Sequence, residues 1–546
     1  MSDFIWRPGP ELLEQANLTR LQRRLGADDY RELHRISIEE PGRFWPEAID
    51  DLGLEFSQRW DAVVDVSRGP EWATWFVGGK VNIARVCLHA HASDREALVG
   101  LYEDGARESL TFAEASRQVT QLAEALVELG VEPGDRVAIY MPMAPAVAIA
   151  SHACAHIGAV QVPIFSGFAA PAIASRLEDS QAKVVICADW SLRRGKRIEM
   201  RATVDETGDH TVIEWSREAR AWPEVVTKQP GTLAPLELDS EAPYLLAYTS
   251  GTTGKPKGAV HVHGGFLVSI ARETVYQADV NPGDRIHFAT DMGWIMGPWT
   301  VVGGGAADAT IVFAEGAPDW PNDRLWKLVE SERISMLGLS PTLTRALIPH
   351  GEPQADLSSL RAICTTGEPW NPGPYDWLFR HVGGSRVPIV NCSGGTEVGA
   401  CFLTTILTEP VKAVSVGFPA LGEDMDVFDA AGNSVRGEVG ELVCKRPWPG
   451  MTRGVWGDEQ RYLDTYWRRF PGVWTHGDWA SVDDDGYWFL HGRSDDTLNI
   501  AGKRIGPAEL ESAAIGSGIV AEAAAVGIPH AVKGEVAWIF CVPNGA

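Results

Sequence analysis

A run of eleven residues from Tyr248 to Gly258 concentrates groups that bind phosphate. It contains five hydroxyl side chains, three glycines and two lysines, and it follows an apolar stretch. Glycine lets the backbone approach an anion closely, while hydroxyl, N–H and ammonium groups supply hydrogen bonds and charge. The run is not a Walker A loop, because Pro256 blocks the helix that such a loop requires. A flexible glycine–serine turn is the alternative interpretation. The predicted phosphate ligands are Thr249, Ser250, Thr252, Thr253 and Lys255.

Other short motifs accompany this loop in a fixed order. They are Tyr140-Met141-Pro142-Met143, the segment 164–168, Gly293-Trp294, Gly367-Glu368-Pro369 and the segment 526–530. With the loop, they resemble the acyl-adenylate-forming (AMP-binding) superfamily, and in particular its acetyl-CoA synthetase-like branch. The resemblance extends from Tyr30 to the end of the chain. It implies an enzyme that uses ATP, Mg²⁺ and coenzyme A.

The resemblance assigns one nucleotide site to residues far apart in the sequence. It implies that Thr396 contacts the α-phosphate and that Glu397 helps to hold Mg²⁺, a hard cation that prefers carboxylate and phosphate oxygens. Asp478 matches the carboxylate that accepts the ribose hydroxyls, and Arg493 matches a ribose and phosphate contact. The loop against the adenine is formed by Gly367, Glu368 and Pro369.

A second set of residues matches positions that serve coenzyme A. Arg193 begins a basic run in an acidic chain and matches the contact to the nucleotide phosphates of CoA, although a solvated basic face is the alternative. Gly167 and Gly502 match positions where a missing side chain admits pantetheine. Arg504 lies in the loop that the resemblance places at the thioester step, and Asp495 matches the hinge.

The acid pocket departs from the acetate-specific pattern. Gly394 stands where acetate enzymes carry a tryptophan that closes the pocket, so we expect an acid bulkier than acetate. The matching wall residues keep the pocket mostly apolar. An apolar pocket discriminates only weakly between acids of different chain length. These wall residues are Trp294, Ile295, Met296 and Thr366.

The reaction that follows is an AMP-forming carboxylate–CoA ligation. The acid attacks the α-phosphate of ATP, pyrophosphate leaves, and the thiol of CoA then displaces AMP from the acyl-AMP. Cations and hydrogen-bond donors lower the barrier between the two anions. No covalent enzyme nucleophile is needed, so the eight cysteines, none in a CxxC pair, are interpreted as core residues.

Three alternatives stay open at this stage. The family places its adenylation lysine beyond Ala546, so a polypeptide that ends there would convert acyl-AMP to acyl-CoA without forming acyl-AMP. The acyl group could instead be loaded onto a carrier protein, which Arg193 disfavours because a carrier arm lacks the 3′-phosphate of CoA. The third alternative is a non-catalytic nucleotide-binding relative, which the intact Lys255 and Glu397 disfavour.

Net charge and hydropathy limit the kinds of partner that we expect. The net charge is -25, so neither nucleic acid nor an anionic membrane is an expected partner. The most apolar stretch, 141–165, is interrupted by Ser151, His152 and His156, and we predict a buried helix and strand there instead of a membrane span. With scattered single cysteines and no signal peptide, the expected location is the cytoplasm, and the oligomeric state is not predicted.

Strands and helices alternate through most of the chain, which predicts an α/β fold with two helix-flanked sheets. Thr111 and Glu114 form a capping box, and strands are expected at 136–141, 183–187, 310–313 and 387–391. After Lys412 short strands and Gly/Asp turns predict a small β-barrel or sandwich. We therefore expect a helical cap at 1–96, the AMP-binding core at 97–411, a small β subdomain at 412–494, and the start of a mobile α/β C-terminal domain, only partly present, at 495–546.

Overall fold

The computed structural model describes residues 4–249 and 256–494, and beyond them 498–500, 503–505, 510–511, 513–514, 519–530 and 534–543. Helices flank two large sheets, as the alternating pattern predicts. Four helices lie within the first 51 residues, in agreement with a helical N-terminal region. Within residues 4–249 and 256–494, the α-helices are Pro10–Gln15, Asn17–Leu25, Tyr30–Glu39, Pro41–Asp51, Ile83–Cys87, Phe112–Glu128, Pro145–His156, Ala170–Ser180, Met200–Asp205, Glu224–Thr227, His263–Arg272, Met296–Ala306, Arg324–Glu332, Pro341–Leu347, Pro372–Trp377 and Glu459–Tyr466.

The first large sheet has six strands. Its strands run parallel except for the last pair, which forms an antiparallel hairpin. The strands predicted at 136–141 and 183–187 are both present in it, each displaced by no more than one residue at either end. In spatial order the strands are Val212–Trp215, Val184–Ala188, Arg136–Tyr140, Val160–Pro163, Pro243–Thr249 and Lys257–Val262.

The second large sheet has nine strands and contains the other two predicted strands. Its central strands run parallel, and antiparallel strands complete both edges. In spatial order the strands are Phe418–Pro419, Ala400–Thr404, Ile389–Gly395, Ala362–Thr365, Met336–Gly338, Arg285–Phe288, Thr310–Ala314, Glu96–Leu101 and Arg107–Thr111.

The sequence signals for helices are borne out at two positions. Thr111 and Glu114 make both hydrogen bonds of a capping box at the start of helix Phe112–Glu128, and Gly130 follows the helix with a φ of 81°. Every residue of helix Pro145–His156 is buried, including the polar Ser151, His152 and His156, in agreement with the buried helix predicted there. Among the described residues, no helix is long and apolar enough to cross a membrane.

The predicted small β unit is a four-stranded antiparallel sheet, with an open order of strands in the described part of the chain. Its strands, in order, are Met425–Phe428, Gly440–Cys444, Trp474–Val482 and Trp488–Arg493. Beneath it lies a separate core that includes the buried side chains of Trp448, Trp467 and Trp474. The sheet therefore has apolar support of its own beside the α/β body.

Smaller sheets complete the fold. The described C-terminal strands form an antiparallel sheet in the order Lys503–Ile505, Leu498–Ile500, Gly534–Pro543 and Val520–His530. Two-stranded ribbons pair Phe4–Trp6 with Val411–Lys412, Ala62–Asp65 with Thr74–Val77, and Ser191–Arg193 with Lys196–Ile198. The domain boundaries at 96, 411 and 494 stay predictions.

Candidate active site

A cavity of about 850 Å³ opens at the carboxyl ends of the parallel strands of both large sheets. The segments that follow these strands form much of its wall, as is usual for ligand sites in α/β proteins. Residues from six such segments illustrate this arrangement: Pro142, Phe165, Asp291, Ser340, Thr366 and Thr396.

The five residues predicted for the acid pocket all line this cavity: Trp294, Ile295, Met296, Thr366 and Gly394. The Trp294 side chain is 58% exposed, and its ring centre lies 5.5 Å from that of Phe165. A tryptophan this exposed inside a concave wall presents apolar surface that a ligand would cover. The structure therefore brings the predicted pocket residues together, while their role stays a prediction.

A second cavity, of about 590 Å³, collects the residues predicted for the nucleoside. It is lined by the segment Gly367-Glu368-Pro369, by Asp478 and by Arg493. Four residues belong to the walls of both cavities: Thr366, Gly367, Glu368 and Gly394. The predicted nucleoside residues and the predicted acid residues thus occupy adjoining spaces.

Asp478 is held by neighbouring positive and polar groups. It lies opposite Arg493 in the adjacent strand, and Arg493 Nη1 is 3.4 Å from Asp478 Oδ1. His476 Nε2 lies 3.5 Å from Asp478 Oδ2 and 3.2 Å from the carbonyl oxygen of Gly394. His476 therefore links the strand Ile389–Gly395 to the four-stranded sheet beside this carboxylate.

Glu397 is a buried carboxylate that stays ionised. Burial opposes its charge, but Lys257 and the hydroxyl of Tyr466 outweigh burial and hold the pKa of Glu397 below its ordinary value. Lys257 Nζ lies 3.5 Å from Oε1, and Tyr466 donates a hydrogen bond to the same oxygen. A Cβ added at Gly395, which lines the cavity, would lie 3.7 Å from the other oxygen, Oε2. Oε2 therefore lies close to Gly395, a residue of the cavity wall.

Thr249 ends the strand that leads into the phosphate-binding loop. It pairs with Lys257 across an antiparallel hairpin, so the intervening residues form the connection between the two strands. The hydroxyl of Thr249 is buried and has no hydrogen-bond partner among the described residues. The strand after the loop also carries His261, whose Nε2 lies 2.7 Å from the carbonyl oxygen of Thr396. The base of the loop thus packs beside Thr396 and Glu397.

The basic run forms a tight hairpin at the mouth of the large cavity. Arg193 and Lys196 pair across it, and Arg194 and Gly195 at the turn have φ values of 53° and 70°. Arg193 is exposed and lines the cavity, and its Nη1 lies 3.3 Å from the carbonyl oxygen of Gly316. Of the five residues in the run, Arg193 is the one whose side chain belongs to the cavity wall.

Gly167 follows two residues of the cavity wall, Phe165 and Ser166. A Cβ at this position would lie 2.7 Å from the Phe165 ring. Even alanine would therefore require the ring to move.

Several predicted site residues lie outside the described residues. They are Ser250, Thr252, Thr253 and Lys255 in the loop, the hinge residue Asp495, and Gly502. Arg504 belongs to the strand Lys503–Ile505, which pairs with Leu498–Ile500.

Two site residues escaped the sequence analysis. Tyr466 ends an amphipathic helix, where a tyrosine usually packs into a core, and nothing in the local sequence links it to Glu397. Asp291 lines the cavity and accepts hydrogen bonds from Ser166 Oγ at 2.5 Å and from the Gly293 amide at 2.9 Å. Burial raises its pKa despite these bonds. Its place just before Gly293-Trp294 is a signal that could have been followed.

Comparison with known proteins now decides the family. The family model described as AMP-binding enzyme matches residues 86–456. The acetyl-coenzyme A synthetase N-terminus matches residues 30–87, and the AMP-binding enzyme C-terminal domain matches residues 509–546. The chain belongs to the AMP-binding enzyme family.

The relatives of this AMP-binding enzyme extend over nearly its whole length. An acetyl-coenzyme A synthetase of Deinococcus radiodurans is 39% identical, over 95% of this chain and 84% of the relative. An acetyl-coenzyme A synthetase of Rhodopirellula baltica is 38% identical, over 100% of this chain and 84% of the relative. Among solved structures, the acetoacetyl-CoA synthetase from Streptomyces lividans superposes with a TM-score of 0.92 at 31% identity, covering 100% of this chain and 87% of that one.

These matches confirm the predicted family and the α/β fold. They also confirm the predicted enzyme class, an AMP-forming acid–CoA ligase, and with it the use of ATP and coenzyme A by this AMP-binding enzyme. The names of the relatives specify acetyl and acetoacetyl groups, and these names do not identify the acid that this enzyme uses.

Proposed function

We propose that this enzyme joins a carboxylic acid bulkier than acetate to coenzyme A through an acyl-AMP intermediate. The observation that carries the proposal is the shared wall of the two cavities. Thr366, Gly367, Glu368 and Gly394 border both the space with the predicted nucleoside residues and the space with the predicted acid residues. An acyl-AMP is one molecule with one group in each space, and its mixed anhydride would lie at this common border.

We assign the nucleotide contacts as follows. The segment 367–369 lies against the adenine, Asp478 accepts the ribose hydroxyls, and Arg493 contacts ribose and phosphate. The hydroxyls of Thr249 and Thr396, with those of Ser250, Thr252 and Thr253, bind phosphate together with Lys255. The hydroxyl of Thr249, which has no partner among the described residues, supports this assignment, because a buried donor without a partner costs free energy that a phosphate oxygen would recover.

Glu397 fits a magnesium site. Its carboxylate is ionised, and Oε2 lies close to Gly395 of the cavity wall. Mg²⁺ is commonly held by one or two carboxylates together with substrate phosphates, so one glutamate beside a triphosphate is a sufficient protein contribution. When bound there, the ion would neutralise part of the phosphate charge.

The chemistry is two displacements that the protein assists by positioning and charge. A carboxylate oxygen of the acid attacks the α-phosphorus of ATP, and the bond to pyrophosphate breaks. The CoA sulfur then attacks the acyl carbon, and AMP leaves with the electron pair of the broken anhydride bond. Lys257, Arg493 and backbone donors of the loop reduce the repulsion between the reacting anions. Arg193 contacts the nucleotide phosphates of CoA, and Gly167 and Gly502 leave room for pantetheine.

The identity of the acid is inferred from the missing side chain at Gly394. A tryptophan there would fill space at the border of the two cavities, while glycine leaves it open. The adjoining wall is largely apolar, with Ile295, Met296, Phe165 and Trp294. An alkyl or aryl acid with several carbons beyond the carboxylate suits this wall better than acetate.

Two assays test the proposal on the full chain. Exchange of radiolabelled pyrophosphate into ATP is measured with a panel of acids from acetate to branched and aromatic acids. Formation of acyl-CoA is measured separately from synthetic acyl-AMPs and CoA. We expect activity in both assays, with larger acids preferred over acetate. Absence of both activities with every acid would refute the proposed function.

A further inference from the structure

A small inner pocket extends the predicted acid pocket into the protein. It shares Met296 and Thr366 with the predicted acid-binding wall, and it also shares Glu273, Phe288, Trp299 and Cys401 with the large cavity. Its volume is about 10 Å³. That is close to the least volume that can hold a single water-sized group.

Gln277 lies in the wall of this inner pocket and is left unsatisfied. Gln277 is only 4% exposed, and neither its Nε2 nor its Oε1 has a hydrogen-bond partner among the described residues. An unpaired amide at this depth is unfavourable, because it loses its hydrogen bonds to water and gains none in the protein. Gln277 also ends a π-helical turn, Glu273–Gln277, and such turns are frequent at functional sites.

Two other polar side chains of the pocket, those of Glu273 and Thr365, already have partners. Glu273 Oε2 accepts from Trp299 Nε1 at 2.8 Å, and Oε1 accepts from Arg272 Nη2 at 3.0 Å and from the Cys401 amide. Thr365 Oγ1 accepts from Trp370 Nε1 at 3.0 Å. Among the described residues, the buried side-chain nitrogen and oxygen atoms of this pocket that lack a partner are those of Gln277.

The surroundings limit what could pair with this amide. Phe288, Met296 and Val390 supply apolar walls, which suit an alkyl chain. Arg272 is already paired with Glu273 and Glu423, so it is not available to neutralise a second carboxylate on the substrate. The space admits about one heavy atom, and the amide can both donate and accept.

We propose that Gln277 recognises a neutral oxygen, an oxo or hydroxyl group, at the far end of the acyl chain. The substrate class is then oxo- or hydroxycarboxylic acids in preference to plain fatty acids. This inference rests on the proposed function, and it makes Gln277 a specificity-determining residue of the acid pocket.

Matched pairs of acids test this in the wild-type enzyme, without any variant. In each pair an oxygenated acid is compared with the plain acid of equal chain length: 3-oxobutanoate with butanoate, 4-oxopentanoate with pentanoate, and 5-oxohexanoate with hexanoate. The hydroxy analogue of each oxo acid is compared with the same plain acid. We expect at least one oxygenated acid to exceed its plain counterpart in kcat/KM for pyrophosphate exchange by about tenfold or more. Comparison of that oxo acid with its hydroxy analogue then shows which of the two oxygen groups the enzyme recognises. Plain acids preferred in every pair would overturn the inference.

Gln277→Leu and Gln277→Met then assign the preference to this side chain. Both keep a similar volume and remove the amide. We expect the oxygenated-to-plain ratio to fall by about tenfold or more, through loss on the oxygenated acid while the plain acid is retained. The matched control is Gln161→Leu, because Gln161 is a fully buried glutamine that lines neither cavity. It should leave the ratio unchanged.

The same ratios are measured with synthetic acyl-AMPs and CoA, so that the inference and the proposed function fail separately. An unchanged ratio in both Gln277 variants would overturn the inference, as would be found if a structural water filled the inner pocket. If no acid supports pyrophosphate exchange but the acyl-AMPs are still converted to acyl-CoA, only the adenylation step is refuted. The oxygenated-to-plain ratio can then still be tested with the acyl-AMPs.

Discussion

The hydroxyl of Tyr466 donates a hydrogen bond to the buried carboxylate of Glu397. The two residues are 69 positions apart, and the helix that ends at Tyr466 thereby reaches the short turn Thr396–Val398. Lys257 Nζ lies 3.1 Å from the same hydroxyl. The three groups form a small network that keeps the predicted metal ligand charged.

Tyr466→Phe is expected to shift the pH dependence of adenylation. The hydrogen bond lowers the pKa of Glu397, so its removal raises that pKa toward the ordinary value. Since the carboxylate must be ionised to hold a cation, the acid limb of the exchange profile should move to higher pH. A hydrogen bond to a charged group corresponds to a loss of about tenfold on that limb.

The measurement is the pH profile of pyrophosphate exchange. The control is Tyr462→Phe, on the same helix, because the Tyr462 hydroxyl donates to the carbonyl of Glu71 at 3.0 Å instead of to Glu397. An unshifted acid limb in Tyr466→Phe would show that the bond does not set the charge of Glu397.

Glu397→Ala is expected to remove adenylation through loss of metal binding. Loss of a charged group that organises the transferring phosphate costs about 100-fold or more. Exchange should fall accordingly, and the rate that remains should depend less steeply on Mg²⁺ concentration. The control is Glu332→Ala, since Glu332 is also buried and ion-paired, but its partners are Arg107 and Arg285. Wild-type exchange in Glu397→Ala would contradict the assigned role.

Much of the fold was predictable because its signals are local. The capping box at Thr111 and the buried strands of the parallel sheets follow from residue type and spacing over short windows. The nearness of Gly367 to Asp478 is different in kind, because no pattern relates residues so far apart. Only the family resemblance predicted that they share one site.

The contacts that the sequence did not predict are those made between distant elements. Tyr466 and Asp291 look like ordinary helix and turn residues, and their partners are fixed by packing of separate segments. Gln277 gives no signal either, since a glutamine in an apolar helix has no predicted partner until the π-helical turn orients it toward the inner pocket.

Arg193→Ala is expected to weaken CoA without affecting adenylation. Its guanidinium lies at the mouth of the large cavity, where it would meet the phosphates of CoA but not those of ATP. We expect the KM for CoA to rise about tenfold, as for loss of one charge-assisted hydrogen bond, with exchange unchanged. The variant should also discriminate less between CoA and 3′-dephospho-CoA.

The matched control is Arg197→Ala in the same hairpin, since Arg197 is paired with Glu199 and is not part of the cavity wall. Equal effects of the two substitutions would indicate that the hairpin acts only as a basic surface.

Gly394→Trp is expected to narrow the acid range toward acetate and propionate. Gly394 borders both cavities, and an indole at this point would occupy the space between the nucleoside residues and the apolar wall. Larger acids should lose about tenfold or more in kcat/KM, while acetate loses little. The control is Gly373→Trp, because Gly373 is an exposed glycine with no atom within 4 Å of an added Cβ. The measurement is the acid profile of exchange in all three proteins. A profile unchanged from wild type would mean that the acyl chain does not pass Gly394, and the inner pocket at Gln277 would then lie off its path.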